Sequence, residues 1–376
     1  MTTFIDIHVL QTVPSSNINR DDTGRPKTGI FGGFTRARVS SQAWKRATRK
    51  DFARYLPDAE RGVRTRRIIA DLIEQIRAID DSIEQTEAIE LAKNVMGAAG
   101  IKFKAARKKK GEEGDDQLDL SEYLLFVSNQ QVQNLARLAV EGRSGAIDKT
   151  AAKKAIQLDN GIEVALFGRM VADDASINVD AAVQVAHALS THAVESEYDY
   201  YTAVDDRNTE GDPAAGMIGV IEFNSSTLYR YATINLDQLH ENLGDLELES
   251  RAAEAFIRSF VVSMPTGKQN TFANGTLPDA VVVQLRDGRP INLVGAFEEP
   301  VRPDSDRSIS TLSAERLATR AQEIDECYGM APSDSFVLAV NGSVREVLGS
   351  TGEVLGLDPL VSAVKERARA VLETIG

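Results

Sequence analysis

Between Phe4 and Leu10 the chain alternates, with Ile5, Ile7 and Val9 on one side and Asp6 and His8 on the other, the period-two pattern of a strand with one buried face. The next stretch, Pro14 to Gly33, is rich in Pro, Ser, Asn and Gly and reads as a loop. Ser40 or Ser41 then offers an N-cap to "SQAWKRATRKDFARYL", a helical pattern with Ala43, Trp44, Ala47 and Tyr55 as packing positions. From about Arg61 to Leu189 apolar residues recur at three/four spacing in "RRIIADLIEQIRAI", "AIELAKNVMGAA", "QQVQNLARLAV" and "VDAAVQVAHAL", so this block is expected to be a helical insertion. Strand character returns at "YDYYTAVDD" and "MIGVIEF", which flank the polar "RNTEGDPAAG" and predict a long two-stranded arm.

After the arm, "STLYRYATINL" alternates as a strand, "AAEAFIRSFVVSM" is helical until Pro265 and Gly267 break it, and "AVVVQLRD" is a further strand. Two closing helices are expected over about Leu312 to Tyr328 and Leu360 to Ile375. The order predicts an α+β fold with an antiparallel sheet, divided at 1–60, 61–192, 193–224 and 225–376. No internal repeat is visible.

Charge changes this picture in one place. The 376 residues carry a formal net charge of -13, yet Asn17 to Arg54 holds ten cations (Arg20, Arg25, Lys27, Arg36, Arg38, Lys45, Arg46, Arg49, Lys50, Arg54) against Asp21, Asp22 and Asp51. That segment is +7 and the remainder -20. A positive patch on an acidic body holds a polyanion at one site while the rest repels it. On the helix, Lys45 and Arg49 stack four apart, as do Arg46 and Lys50, so neither pair neutralises itself. "KFKAARKKKGEEGDDQ", Lys102 to Gln117, runs from basic to acidic and reads as a surface loop. Hydrophobic content of 42% and the absence of a long apolar run or a basic leader fit a cytoplasmic protein.

Catalytic signals are sparse. The single cysteine, Cys327, excludes an internal disulfide and lies in a helical pattern, where it is expected as a small buried hydrophobe. The four histidines, His8, His187, His192 and His240, show no metal-ligand spacing; His187 and His192, five apart, fall on different faces of the expected helix. "PTGKQNT" fails as a phosphate-binding Walker loop because Val262 stands where a glycine is needed and Gln269 where Ser or Thr must follow Lys268.

"NINRDD", "IFGG", "RVSSQAWKRATR", "ALFGRM", "AAVQVAHALSTH", "YYTAVDD", "YRYATINLDQL" and "GKQNTFA" occur in an order and spacing that resemble the CasC family of the RAMP superfamily, the backbone subunit of the CRISPR type I-E Cascade complex of antiviral defence. The resemblance implies an RRM-like (ferredoxin-like) antiparallel-sheet palm, a helical finger insertion and a thumb β-hairpin. It implies copies assembled along one CRISPR RNA with other Cascade subunits, target DNA engaged through guide pairing, no membrane, no cofactor and no catalysis by this chain.

On that basis Arg20, Lys27, Arg38, Ser40, Gln42, Lys45 and Arg49 are expected to hold phosphates and sugars without reading bases, and Gly32 and Gly33 to let backbone approach the RNA. The resemblance also assigns Lys268 and Gln269 to RNA, Met170 and Thr202 to a wedge flanking a kink in the guide, and Lys149 and Lys153 to target DNA. Two alternatives stand beside it. One is an RRM-like RNA-processing endoribonuclease using His8 and a nearby tyrosine; the other is a filament scaffold that binds no RNA. Asp205 and Asp206 adjoin the arm, where paired carboxylates in a loop read as solvated.

Overall fold

The computed structural model describes residues 1–104, 118–171, 174–204 and 215–375. Most of the Lys102–Gln117 run, and the arm's tip with Asp205 and Asp206, lie outside the described residues. Two compact units are present: Met1–Asp51 with Val185–Ile234 and Phe256–Arg367, and Phe52–Gln184 with Asn235–Ala255 and Ala368–Gly376.

The first unit is built on a sheet. Its central strand, β1 (Thr3–Ser16), lies between Ala280–Asp287 and the long strand Ala215–Asn235. On one side Asp334–Ala339 and then Glu353–Val354 extend the sheet; on the other come Ala188–Ser190, β3 (Phe34–Val39) and, at the edge, β2 (Thr28–Phe31). Asp334–Ala339 pairs antiparallel with Ala280–Asp287, whereas the outermost Glu353–Val354 runs parallel to it.

Because β1 is central, both of its faces are buried, and the expectation of one solvated face fails. Asp6 and His8 are as inaccessible as Ile5, Ile7 and Val9. Burying polar groups is tolerable only when they are hydrogen-bonded. Here the Tyr231 hydroxyl donates to Asp6 (2.8 Å), the Ile291 amide donates to the other Asp6 oxygen (2.8 Å), and His8 Nδ1 lies 2.9 Å from the Tyr229 hydroxyl. Around them Leu10, Leu293, Phe297, Leu317, Val344 and Leu348 close an apolar layer carried partly by the helices Ile309–Tyr328 and Gly342–Leu348.

α1 (Ser41–Asp51) follows β3 directly. Ser40 starts it: the Gln42 amide donates to Ser40 Oγ (3.3 Å) and the Ala43 amide to the Ser40 carbonyl (2.9 Å). Trp44, fully buried, fixes the helix by stacking beneath the Arg230 guanidinium at 3.9 Å from the ring centre. Trp44 thus packs as the pattern predicts, whereas Tyr55 stays exposed.

The second unit is mainly helical, with Ile68–Ile79, Gln85–Ala98, Asn129–Glu141 and Lys149–Gln157 around a core that includes Leu72, Ile76, Val95, Leu135 and Ile156. A short antiparallel pair, Gly62–Thr65 with Leu125–Ser128, interrupts the helices. "VDAAVQVAHAL" is not helical: Val183–Val185 and Ala188–Ser190 are strands, as the β-branched Val183 and Val185 permit. No helix among the described residues is long and apolar enough to cross a membrane.

Candidate nucleic-acid interface

Four segments of the first unit meet at the end of β1. The Asn17 carboxamide donates to the Gly24 carbonyl (3.0 Å) and to the Glu222 carbonyl (3.1 Å), joining the Arg20–Lys27 loop to the base of the hairpin arm. Two residues on, the Asn19 side chain accepts the Ser40 amide (2.8 Å) at the start of α1, while its carbonyl accepts the Lys27 amide (2.9 Å). Gly267 lies against the same turn so closely that a Cβ there would stand 2.4 Å from the Ile18 carbonyl oxygen. Finally, Phe223 of the arm meets Phe272 beyond that loop, ring centres 5.5 Å apart.

The junction accounts for where the cations stand. Asp21 folds onto its own loop, its carboxylate accepting from the Thr23 hydroxyl and from the Thr23 and Arg25 amides, and that hydroxyl contributes most to holding it below the usual carboxylate range. Arg20 is exposed on the loop so formed. Lys27 and Arg38 sit on neighbouring chains, the Arg38 amide donating to the Lys27 carbonyl (2.9 Å), and the Arg38 guanidinium reaches the Thr28 carbonyl (3.0 Å) and His187 Nδ1 (3.2 Å). Ser40, exposed Gln42, and half-buried Lys45 and Arg49 follow along α1. Lys268 adopts the left-handed conformation (φ 51°) directly after the anchored Gly267, with exposed Gln269 next to it. The arrangement suits a polyanion: cations and neutral donors from several segments, with no demand on base identity.

This architecture extends beyond one chain. The CT1975-like protein family model matches residues 5–362. The chain belongs to that family. Comparison with curated proteins finds no match. Among solved structures, the chain is similar to one from a CRISPR RNA-guided surveillance complex in a pre-nicking state, with 34% identity, a TM-score of 0.83, and coverage of 97% of this chain and 100% of that one. It is also similar to a chain of a second CRISPR RNA-guided surveillance complex, with 30% identity, a TM-score of 0.70, and coverage of 97% and 99%.

In this CT1975-like chain several expected roles change. Arg36 belongs to the interior: it is 0% exposed, and its guanidinium donates to the Ser190 (3.0 Å) and Phe297 (2.8 Å) carbonyls, so one of the ten counted cations serves the fold. Gly32 and Gly33, with φ of 58° and 82°, form the β2–β3 turn, and a Cβ on Gly32 would collide with the Glu298 carbonyl. The glycines are therefore explained by the protein's own backbone. The Pro14–Gly33 stretch is not a continuous loop either, because β1 runs to Ser16 and β2 begins at Thr28. Cys327 is exposed near the end of its helix, not buried.

The remaining site residues stand elsewhere. Thr202 is exposed on the arm strand Glu197–Val204, paired opposite Ile218. Met170, in the second unit, is 85% exposed two residues after Gly168 ends the helix Ile162–Phe167, so it is not a core residue like Phe167. Lys149 and Lys153 share one helix, but Lys153 Nζ is paired with Asp174 at 2.9 Å. The Ser176 hydroxyl, then Lys153, hold Asp174 down at about 2. Asn17, Asn19 and the Phe223–Phe272 contact received no role from the sequence. An asparagine bracing three segments looks like any loop asparagine, and the pairing of Phe223 with Phe272, nearly fifty residues apart, is invisible in either stretch alone.

Proposed function

We propose that this chain is a non-catalytic backbone subunit of a type I-E Cascade surveillance complex, a CasC-like protein that coats the CRISPR RNA through phosphate and sugar contacts. In this reading the first unit is an RRM-like palm, the helical unit a finger and the Glu197–Val204 arm a thumb. Successive cytoplasmic copies line up on one guide, Met170 and Thr202 wedge it at intervals, and the segments between pair with target DNA. The observation that carries the reading is the junction at Asn17–Asn19, which gathers Arg20, Lys27, Arg38, Ser40, Gln42, Lys45 and the Lys268–Gln269 loop into one unit. Membership of the CT1975-like family and similarity to chains of CRISPR RNA-guided complexes support it.

The endoribonuclease alternative finds no support at His8. Its ring is fully buried, and burial, then the charge of Arg286, lowers its pKa to about 3, out of reach of an RNA hydroxyl. Expression of the chain with its genomic neighbours tests the proposal: a bound RNA of uniform length, protected from ribonuclease, is expected. Assemblies that form equally well after ribonuclease treatment would contradict it.

A further inference from the structure

The sequence pattern puts His187 on a helix, whereas the side chain lies exposed just before the strand Ala188–Ser190, beside Arg38 of the junction's cationic surface. Arg38 pairs with Leu189 and Val39 with Ala188, so one step further along that antiparallel register Ser40 comes opposite His187. Arg38 Nη1 lies 3.2 Å from His187 Nδ1. A guanidinium only donates, so Nδ1 accepts and the imidazole proton resides on Nε2. We infer that His187 is a nucleic-acid contact of this surface, its Nε2–H, aligned by Arg38, donating to an oxygen of the ribose–phosphate chain beside Ser40 and Lys27.

The chemistry is that of a neutral donor. Partial burial, then the charges of Arg38 and Lys27, keep the ring below its ordinary pKa, so the neutral form predominates at pH 7. A neutral donor strengthens binding without releasing a counterion, and this separates it from the lysines around it. The inference rests on the RNA-binding reading proposed above.

Three variants test it with a fluorescein-labelled single-stranded RNA of mixed sequence, by anisotropy at several salt concentrations. His187→Asn keeps an acceptor for Arg38 but lacks the outward donor; His187→Gln keeps a donor at the Nε2 position but not the acceptor. His187→Asn and His187→Ala are expected to bind about threefold to tenfold more weakly with an unchanged salt slope, and His187→Gln within about twofold of the unaltered chain. The same series on DNA of identical sequence separates the acceptors: a loss on both places the contact at phosphate, a loss on RNA alone at the 2′-hydroxyl. If His187→Asn and His187→Ala bind like the unaltered chain, the inference is wrong. If His187→Asn is normal and His187→Gln weak, His187 only positions Arg38 and the contact is again refuted. An unaltered chain that fails to bind RNA overturns the functional reading itself, an outcome distinct from either.

Discussion

The junction at Asn17–Asn19 and the helix Lys149–Gln157 each carry a pair of cations four residues apart, and in sequence they look alike. In the structure they differ. At the junction, donors arrive from the Arg20–Lys27 loop, the start of α1 and the Lys268 loop, braced by two asparagine side chains. On the helix of the second unit both lysines come from one segment, and Lys153 is already engaged by Asp174. Convergence of separate segments, more than charge count, distinguishes a surface suited to a polyanion from a solvated helix with a local ion pair, which contributes little.

The contrast is broken most severely by reversing charge at the junction. Lys45→Glu with Arg49→Glu is expected to weaken single-stranded RNA binding by about a hundredfold near 0.1 M salt and to reduce the salt slope by about 1.4, as befits two lost phosphate contacts. Filter binding across a salt series measures both. A change confined to affinity at one salt concentration would point to misfolding instead, which circular dichroism would reveal.

The next effect is on stability against acid. His8 is held neutral in the first unit, with its pKa lowered from 6.5 to about 3 by burial. The unfolded chain takes up a proton there below about pH 6.5 and the native one does not, so this contribution is complete above that pH and is lost progressively toward pH 3. In the second unit Asp174 is depressed from 3.8 to about 2, so its contribution persists above about pH 4 and fades only as pH falls through 2. Hydrogen exchange along an acid titration should show the first unit opening before the second, and Asp174→Asn should weaken the second unit's response below pH 4, where Asp80, also held low by its bonds to Ser82 and by Arg143, still contributes. Simultaneous opening would contradict the assignment.

Smaller still is the effect of a brace. Asn19→Ala removes the acceptor of the Ser40 amide and should cost about 1 kcal/mol by denaturant titration, with RNA affinity falling about fivefold as the start of α1 loosens. Smallest of all, Lys149→Ala with Lys153→Ala should leave single-stranded RNA affinity within about twofold. A larger loss would mean that the Lys149–Gln157 helix shares the guide contact.

Much of this was legible from periodicity. The helices of the insertion follow from apolar spacing, because each presents one face to a core, whereas Ala280–Asp287, buried on both faces, and the exposed arm strand Glu197–Val204 follow from their β-branched and aromatic residues. What the pattern misled on has physical causes. Asp6 and His8 read as solvated because nothing local announces that a strand is central and that Tyr229 and Tyr231, over two hundred residues away, will bond to His8 Nδ1 and Asp6. "VQVAHALS" has helical spacing, yet strand pairing with β3 captures its second half. Arg36 counted as a surface cation since a buried guanidinium bonded to carbonyls cannot be told from an exposed one by composition. The cationic segment itself was visible; its partners across the chain, Gly267 and His187, required the fold.

The central claim is that one surface, assembled at the end of β1, takes the ribose–phosphate chain. Hydrogen–deuterium exchange of the chain with and without single-stranded RNA tests it directly. Protection is predicted at Arg20–Lys27, the first turns of α1 and the Pro265–Phe272 loop together, with Lys149–Gln157 unchanged. Protection restricted to the Lys149–Gln157 helix, or absent from the junction while RNA is bound, would contradict it.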